Sequence, residues 1–401
     1  MIDVRLSELL AQPAATAFLQ GVVASGRYAN AYLFQGPAGV GKGTAAFAFA
    51  RAMLCERTPG GRPSGPDLFA TGEPPAPTGR LDEACGVCDG CARSRQLQHP
   101  DLKFLFPVSG EERELDETVQ ETLAAVREDP WFVFTYEKAA SIRLSLTREL
   151  LRELAYAPFE AARRAVVVRD ADRMREDQYS ALLKSIEEPG ASTVWVLTTA
   201  RPARLPATVR SRCQVVRFAP IPESTLAEFL AGRVSIPPKE ALLLAALASG
   251  SLGRALVLRD GEPLRLRDEA LSVLEPALRG DSAGLWRAAQ SFMNYGRTGR
   301  ETLRRMIEFH ELWLRDLLRA KVGAPREALV NRDREAEIRR QAEGLAPSEI
   351  RRRLLVLEEA LRSLEGNVTA DLTVFSAMAR VAGARFGEHD WPPHDAGRWD
   401  Y

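Results

Sequence analysis

The sequence predicts an α/β protein in its first half: a parallel sheet covered by helices on both faces, carrying an inserted cysteine module. A small helical lid and an all-α C-terminal domain follow. Three observations predict this. Short apolar runs alternate with helical periodicity as far as residue 218, a glycine-rich loop joins the first such run to a helix, and from Glu223 onward no segment reads as a strand.

Residues 7–25 place Leu9, Leu10, Phe18, Leu19, Val22 and Val23 at helical spacing, and Ala31-Tyr32-Leu33-Phe34 is a short apolar strand. After the glycines, 42–54 is an Ala-rich helix. The stretch 57–80 is crowded with Pro and Gly and reads as an irregular, exposed excursion. Residues 108–140 are acidic and then aromatic around Trp131-Phe132-Val133-Phe134, an insertion to which the sequence assigns no role. A helix at 142–156 leads to a strand at 165–168. A helix at 177–188 stops before Pro189-Gly190, and strands follow at 194–198 and 214–218.

Beyond the sheet, 223–265 reads as a lid and 266–388 as long amphipathic helices. One apolar stripe carries Leu303, Met306, Ile307, Leu314, Leu317 and Leu318; another carries Ile350, Leu354, Leu357, Leu361 and Leu364. Arg351-Arg352-Arg353 reads as a solvated face, and 389–401 as a frayed tail. The expected domains are thus 1–222, with a zinc module at 55–91 and the insertion at 108–140, then 223–265 and 266–388.

A chain of 401 residues exceeds one ordinary core, and 45% hydrophobic with 27% charged residues is a soluble globular balance. No apolar run approaches the ~18 residues of a membrane span, and Met1-Ile2-Asp3-Val4-Arg5 lacks the order of an export signal, so a cytoplasmic protein is expected. The 54 basic and 54 acidic residues cancel, which excludes a protein that holds nucleic acid by bulk charge. Six of the basic residues are Lys and the rest Arg, a bias that codon usage explains before phosphate recognition does.

Gly36-Pro37-Ala38-Gly39-Val40-Gly41-Lys42-Gly43-Thr44 lies between strand and helix, the context a phosphate loop needs. Gly36, Gly39 and Gly41 let backbone N–H groups face phosphate oxygens, the helix N-terminus adds positive potential, and Lys42 neutralises the β- and γ-phosphates of ATP or ADP. The hydroxyl that ordinarily follows the Lys and ligates Mg²⁺ is absent, because Gly43 stands there and Thr44 comes one residue late. Phosphate binding tolerates this better than metal placement does.

Cys85-x-x-Cys88-x-x-Cys91, with Cys55, supplies four thiolates. In a reducing compartment such a set points to a closed, structural Zn²⁺ site. The long span between Cys55 and Cys85 is tolerable because loop closure costs only ~0.6 kcal/mol per doubling of length. His99 is a competing ligand candidate.

These motifs resemble a known family. Leu33-Phe34-Gln35-Gly36-Pro37, the cysteine module, His99-Pro100-Asp101, Ala181-Leu182-Leu183-Lys184-Ser185-Ile186-Glu187-Glu188-Pro189, Thr198-Thr199-Ala200 and Ser211-Arg212-Cys213 are ordered as in bacterial clamp-loader subunits of the AAA+ class. The likeness spans roughly residues 5–260. Asp170-Ala171-Asp172-Arg173-Met174 and the run 250–256 are more similar to the delta-prime type than to the gamma/tau ATPases.

The resemblance implies that Arg212 reaches into a neighbouring subunit's ATP site as an arginine finger, that Thr199 sits at a γ-phosphate sensor position and that Arg254 is the second sensor. It also implies that Arg169 and Asp170 replace the Asp-Glu pair that organises Mg²⁺ and water, so intrinsic ATPase activity is expected to be negligible. Implied partners are gamma/tau-type and delta-type subunits, the sliding clamp and, through the complex, primed DNA, with 266–388 as a collar in a hetero-oligomeric ring. The alternatives are a competent gamma-type ATPase, a nucleoside monophosphate kinase (half this length and opening directly on its loop) and a purely structural zinc protein.

Overall fold

The computed structural model describes residues 4–59, 82–109, 115–129, 131–135, 140–187, 192–260, 263–293, 299–364 and 368–383. Most of the Pro/Gly-rich excursion, the Pro189-Gly190 helix stop and the tail at 389–401 lie outside the described residues. The chain divides into two compact units, Met1–Val257 and Leu258–Tyr401.

The first unit runs α1 (Pro13–Ser25), β1 (Ala31–Gln35), α2 (Lys42–Met53), α3 (Asp89–Arg95), β2 (Leu102–Leu105), α4 (Leu115–Glu128), α5 (Leu144–Glu153), β3 (Arg164–Val168), α6 (Glu176–Glu187), β4 (Thr193–Thr199), α7 (Ala207–Arg210), β5 (Gln214–Arg217), α8 (Glu223–Arg233), α9 (Pro238–Ala248) and α10 (Leu252–Asp260). Its strands pair in parallel in the order β2-β3-β4-β1-β5. Leu33 of β1 lies opposite Leu197 of β4 on one side and Val215 of β5 on the other.

Strands β3 and β4 are buried along their whole length, as a parallel sheet covered on both faces requires. On one face Tyr32, Phe34, Val167 and Val196 pack on Phe49 of α2; on the other Leu33, Val166, Trp195 and Leu197 meet Leu182 and Ile186 of α6. The fold class expected from the sequence is the one observed.

Three details differ from expectation. The helix read over 7–25 is broken: a 3-10 turn at Leu6–Glu8 precedes α1, which starts at Pro13, where a missing N–H costs nothing. Strand β2 and helix α3 were not foreseen, since each is short and only partly buried. Within the 108–140 insertion, Leu115–Glu128 forms α4. An antiparallel bridge between Val108 and Ser141, with N···O distances of 3.0 and 3.3 Å, closes the insertion at its root.

The second unit contains α11 (Pro263–Arg279), α12 (Ser282–Met293), α13 (Arg300–Lys321), α14 (Glu335–Glu343), α15 (Pro347–Leu364) and α16 (Ala370–Val381). Leu303, Met306, Ile307, Leu314 and Leu317 of α13 and Ile350, Leu357 and Leu364 of α15 are buried. The reading of Arg351-Arg352-Arg353 as a solvated face needs correction. Arg351 and Arg352 are exposed, but Arg353 shares the inward face of Ile350 and Leu357 and is 4% exposed. Its guanidinium donates to the carbonyls of Val381 (3.1 Å) and Leu278 (3.3 Å), near the C-termini of α16 and α11, and pairs with Glu349 at 2.7 Å. Those carbonyls have no partner inside their own helices, so the cation satisfies them.

No helix among the described residues is long and apolar enough to cross a membrane.

Candidate functional site

The glycine loop leaves the C-terminal end of β1, where parallel strands present their carboxyl ends to ligands. Gly36 and Gly39 have reasons to lack a side chain. A Cβ on Gly36 would stand 2.3 Å from the Phe218 carbonyl oxygen, and Gly39, at φ +73°, would meet Ser251 Oγ at 2.1 Å. The Gly39 carbonyl accepts a hydrogen bond from Gly253 N–H at 3.0 Å, which joins the loop to the start of α10. Arg254 is half-buried in the first turn of that helix, its N–H donating to Ser251 Oγ at 3.1 Å.

Gly41, at φ +98°, is the N-cap of α2. Lys42 follows it, buried, and donates to the carbonyls of Gly36 (2.8 Å) and Pro37 (2.5 Å). Burial lowers its pKa to about 8, opposed by the carboxylate of Asp170 and assisted by the nearby charge of Arg169. The ammonium is thus held inside the loop whose charge it provides. Thr44 is half-buried.

The Arg169 guanidinium lies against Gly43. A Cβ on Gly43 would lie 2.6 Å from Nη1 of Arg169, so the guanidinium stands where a Ser or Thr hydroxyl would otherwise project. Arg169 lies over the Phe134 ring, 4.1 Å from its centroid, with Nε 3.5 Å from Asp170 Oδ2. Asp170 adopts φ +46°, and its N–H donates to Thr198 Oγ1 at 3.1 Å.

Thr199 is fully buried. Its hydroxyl donates to Asp172 at 2.7 Å and accepts from Arg201 N–H at 2.9 Å, and Arg201 Nε pairs with the same Asp172 at 3.0 Å. Asp172 therefore binds β4 to the turn after β3. The bond from Thr199 to Asp172 was not foreseen from the sequence.

Cys55, beyond the end of α2, meets Cys85, Cys88 and Cys91, whose sulfur atoms all lie within 4.8 Å of one another. Cys85 and Cys91 are 3.9 Å apart, as are Cys55 and Cys88. Four thiolates about 2.3 Å from a tetrahedral Zn²⁺ have sulfur–sulfur edges of about 3.8 Å, so the donor set fits. The N–H groups of Cys85, Cys88 and Cys91 each point at the sulfur of another member at 3.4 Å, which stabilises thiolate charge.

The thiol pKa values split accordingly. Hydrogen bonds from Cys55 and Cys91 lower Cys88, whereas Cys55 is pushed up to about 11 by its bond to Cys88 and Cys91 is raised by those to Cys55 and Cys88. His99 is not a ligand of this cluster. Its Nδ1 accepts from Asp101 N–H at 3.1 Å and its Nε2 faces Glu160 at 3.3 Å. Asp101, fully buried, in turn accepts the N–H groups of Phe159, Glu160 and Ala161, bracing the loop before β3.

Arg212 lies on the turn between α7 and β5. Its side chain is 41% exposed, paired with Glu187 at the end of α6 (Nε–Oε1 2.5 Å) and bonded to the Thr208 carbonyl at 3.0 Å. The adjacent Cys213 points into the sheet core, and burial raises its thiol to about 11. Cys213 anchors the turn inward, and Arg212 just before it presents a tethered guanidinium to solvent.

A profile of the family described as DNA polymerase III, delta subunit, matches residues 11–66 and 77–222. DNA polymerase III subunit delta' of Escherichia coli K12 is 25% identical over 360 residues, 89% of this chain and 90% of the relative. The subunit delta' of Pseudomonas aeruginosa is 31% identical over 227 residues, 56% of this chain and 54% of the relative. A crystal structure of a DNA polymerase III gamma subunit-related protein from Thermotoga maritima covers 72% of this chain and 97% of its own, at 19% identity and a TM-score of 0.34, a likeness too loose to carry an inference.

Proposed function

The chain belongs to the DNA polymerase III delta-subunit family, in its delta-prime clamp-loader branch, and we propose that it is a member that does not hydrolyse ATP and serves a neighbour's site instead. The observation that carries this reading is Arg169 beside Gly43. Phosphoryl transfer is catalysed by positioning and electrostatics, with Mg²⁺ bridging the β- and γ-phosphates. A guanidinium at the metal-organising position repels that ion, and Gly43 offers it no hydroxyl. Lys42 turned onto its own loop, and Thr199 bonded to Asp172, support the same reading.

In this proposal Arg212 is the chain's contribution to catalysis. A guanidinium supplied in trans stabilises charge on the transferring phosphoryl group, and the Arg212 guanidinium is exposed, oriented by Glu187 and the Thr208 carbonyl. The partners are gamma/tau-type and delta-type subunits in a cytoplasmic AAA+ hetero-oligomer that loads a sliding clamp on primed DNA. Residues 223–265 act as lid and 266–388 as collar. Cys55, Cys85, Cys88 and Cys91 hold a structural Zn²⁺ that ties the end of α2 to α3.

Turnover of ATP by the purified chain tests the inert half of the proposal. No steady phosphate release is expected; hydrolysis that disappears in Lys42→Ala would overturn it.

A further inference from the structure

The insertion closed by Val108 and Ser141 plays no part in that reading, yet its aromatic end lies against the phosphate-loop site. We propose that the span Trp131–Phe134 is an internal ligand of this site. It clamps the Arg169 guanidinium onto Gly43 and fastens α8 and the start of α10 to the sheet, so that the first unit is held in one arrangement without nucleotide. The inference rests on the assignment of Arg169 and Gly43 above and is independent of any role of Arg212.

The insertion is rooted and docked before it reaches the site. Val126 of α4 is buried against Phe47 of α2, the helix headed by Lys42, and Leu115 packs on Phe106 and Val108. From there a run of rings leads to the loop. Phe47 and Phe104 stand 4.8 Å apart, and Phe134 lies 6.1 Å from Phe104, 5.5 Å from Phe106 and 5.0 Å from Phe132. Phe134 carries the Arg169 guanidinium on its face, and Gly43 lies against the same guanidinium. An aromatic face attracts a cation, so the ring holds the charge in the metal's place.

The same short span also reaches the helices that follow the sheet. Trp131 meets Phe229 of α8 edge to face at 5.6 Å, and Val133 Cγ1 stands 3.7 Å from where a Cβ on Gly253 would be. Gly253 is the residue whose N–H binds the Gly39 carbonyl. Four consecutive residues therefore touch α8, α10, the flank of α2 and the end of β3. Buried apolar contacts of this kind oppose local opening of the elements they join.

The test uses the full chain with ATP and ADP as probes, each with and without Mg²⁺. Calorimetric titration of the wild type is expected to give no binding tighter than about 1 mM. Hydrogen exchange in Trp131→Ala/Phe134→Ala is expected to speed up by about tenfold or more in α8 and α10, with β3 and β4 unchanged. Phe134→Leu keeps the apolar volume and removes the ring face. It is expected to fold, with faster exchange confined to the first turn of α2. Micromolar, Mg²⁺-dependent nucleotide binding by the wild type would overturn the inference, as would unchanged exchange in either variant. Partner ATPase activity is not read, so a failure here leaves the arginine-finger proposal standing, and the reverse also holds.

Discussion

Gly43 and Arg169 are a matched pair: the arginine's Nη1 occupies space 2.6 Å from where a Cβ at residue 43 would stand. A side chain at 43 would push the end of the Arg169 guanidinium aside. Gly43→Ser is therefore expected to drive Arg169 off the Phe134 ring at a cost of about 0.5–2 kcal/mol, read from urea unfolding. It is not expected to restore ATP hydrolysis, because the cation remains at the strand end.

The cysteine centre predicts one Zn²⁺ per chain by elemental analysis and none in Cys91→Ser. Folding brings the four thiolates together, so metal binding contributes folding free energy, and chelation is expected to destabilise the first unit by at least about 2 kcal/mol. His99→Ala is expected to keep its zinc, since His99 is bonded to Asp101 and Glu160 instead.

Arg353 predicts a contrast within one charge run. Arg353→Met removes the donor that serves Val381 and Leu278 and is expected to cost about 1–3 kcal/mol. Arg351→Met, on the exposed face, is expected to stay within about 0.5 kcal/mol. Chemical denaturation of the two variants separates them.

His310 gives the second unit a pH dependence. It is fully buried, with Nε2 2.7 Å from the Ala270 carbonyl, and burial lowers its pKa from 6.5 to about 4. The unfolded histidine takes up a proton below about pH 6.5 and the folded one does not, so this stability is complete above that pH and lost as pH falls toward 4. Unfolding midpoints measured from pH 7 to 4 are expected to fall in the wild type and to flatten in His310→Gln.

Much of the fold was legible because burial on both faces leaves β1, β3 and β4 as uninterrupted apolar runs between helices. Strand β2 was not, because only four residues pair and Lys103 sits among them. The cysteine cluster was legible from spacing alone. The inward turn of Arg353 was hidden by its exposed neighbours, although its spacing from Ile350 and Leu357 carried the signal. The pairing of Gly43 with Arg169 and the docking of Trp131–Phe134 join residues far apart in the chain. No local pattern announces such contacts.

In the proposed function, the chain's catalytic contribution lies in Arg212 and acts on another subunit. DNA-stimulated ATP hydrolysis by the complex rebuilt with Arg212→Ala tests it most directly. A loss of about 10³-fold is expected at the one site that Arg212 serves, with Arg212→Lys failing to rescue it because an ammonium lacks the planar fork. An unchanged rate in Arg212→Ala would contradict it.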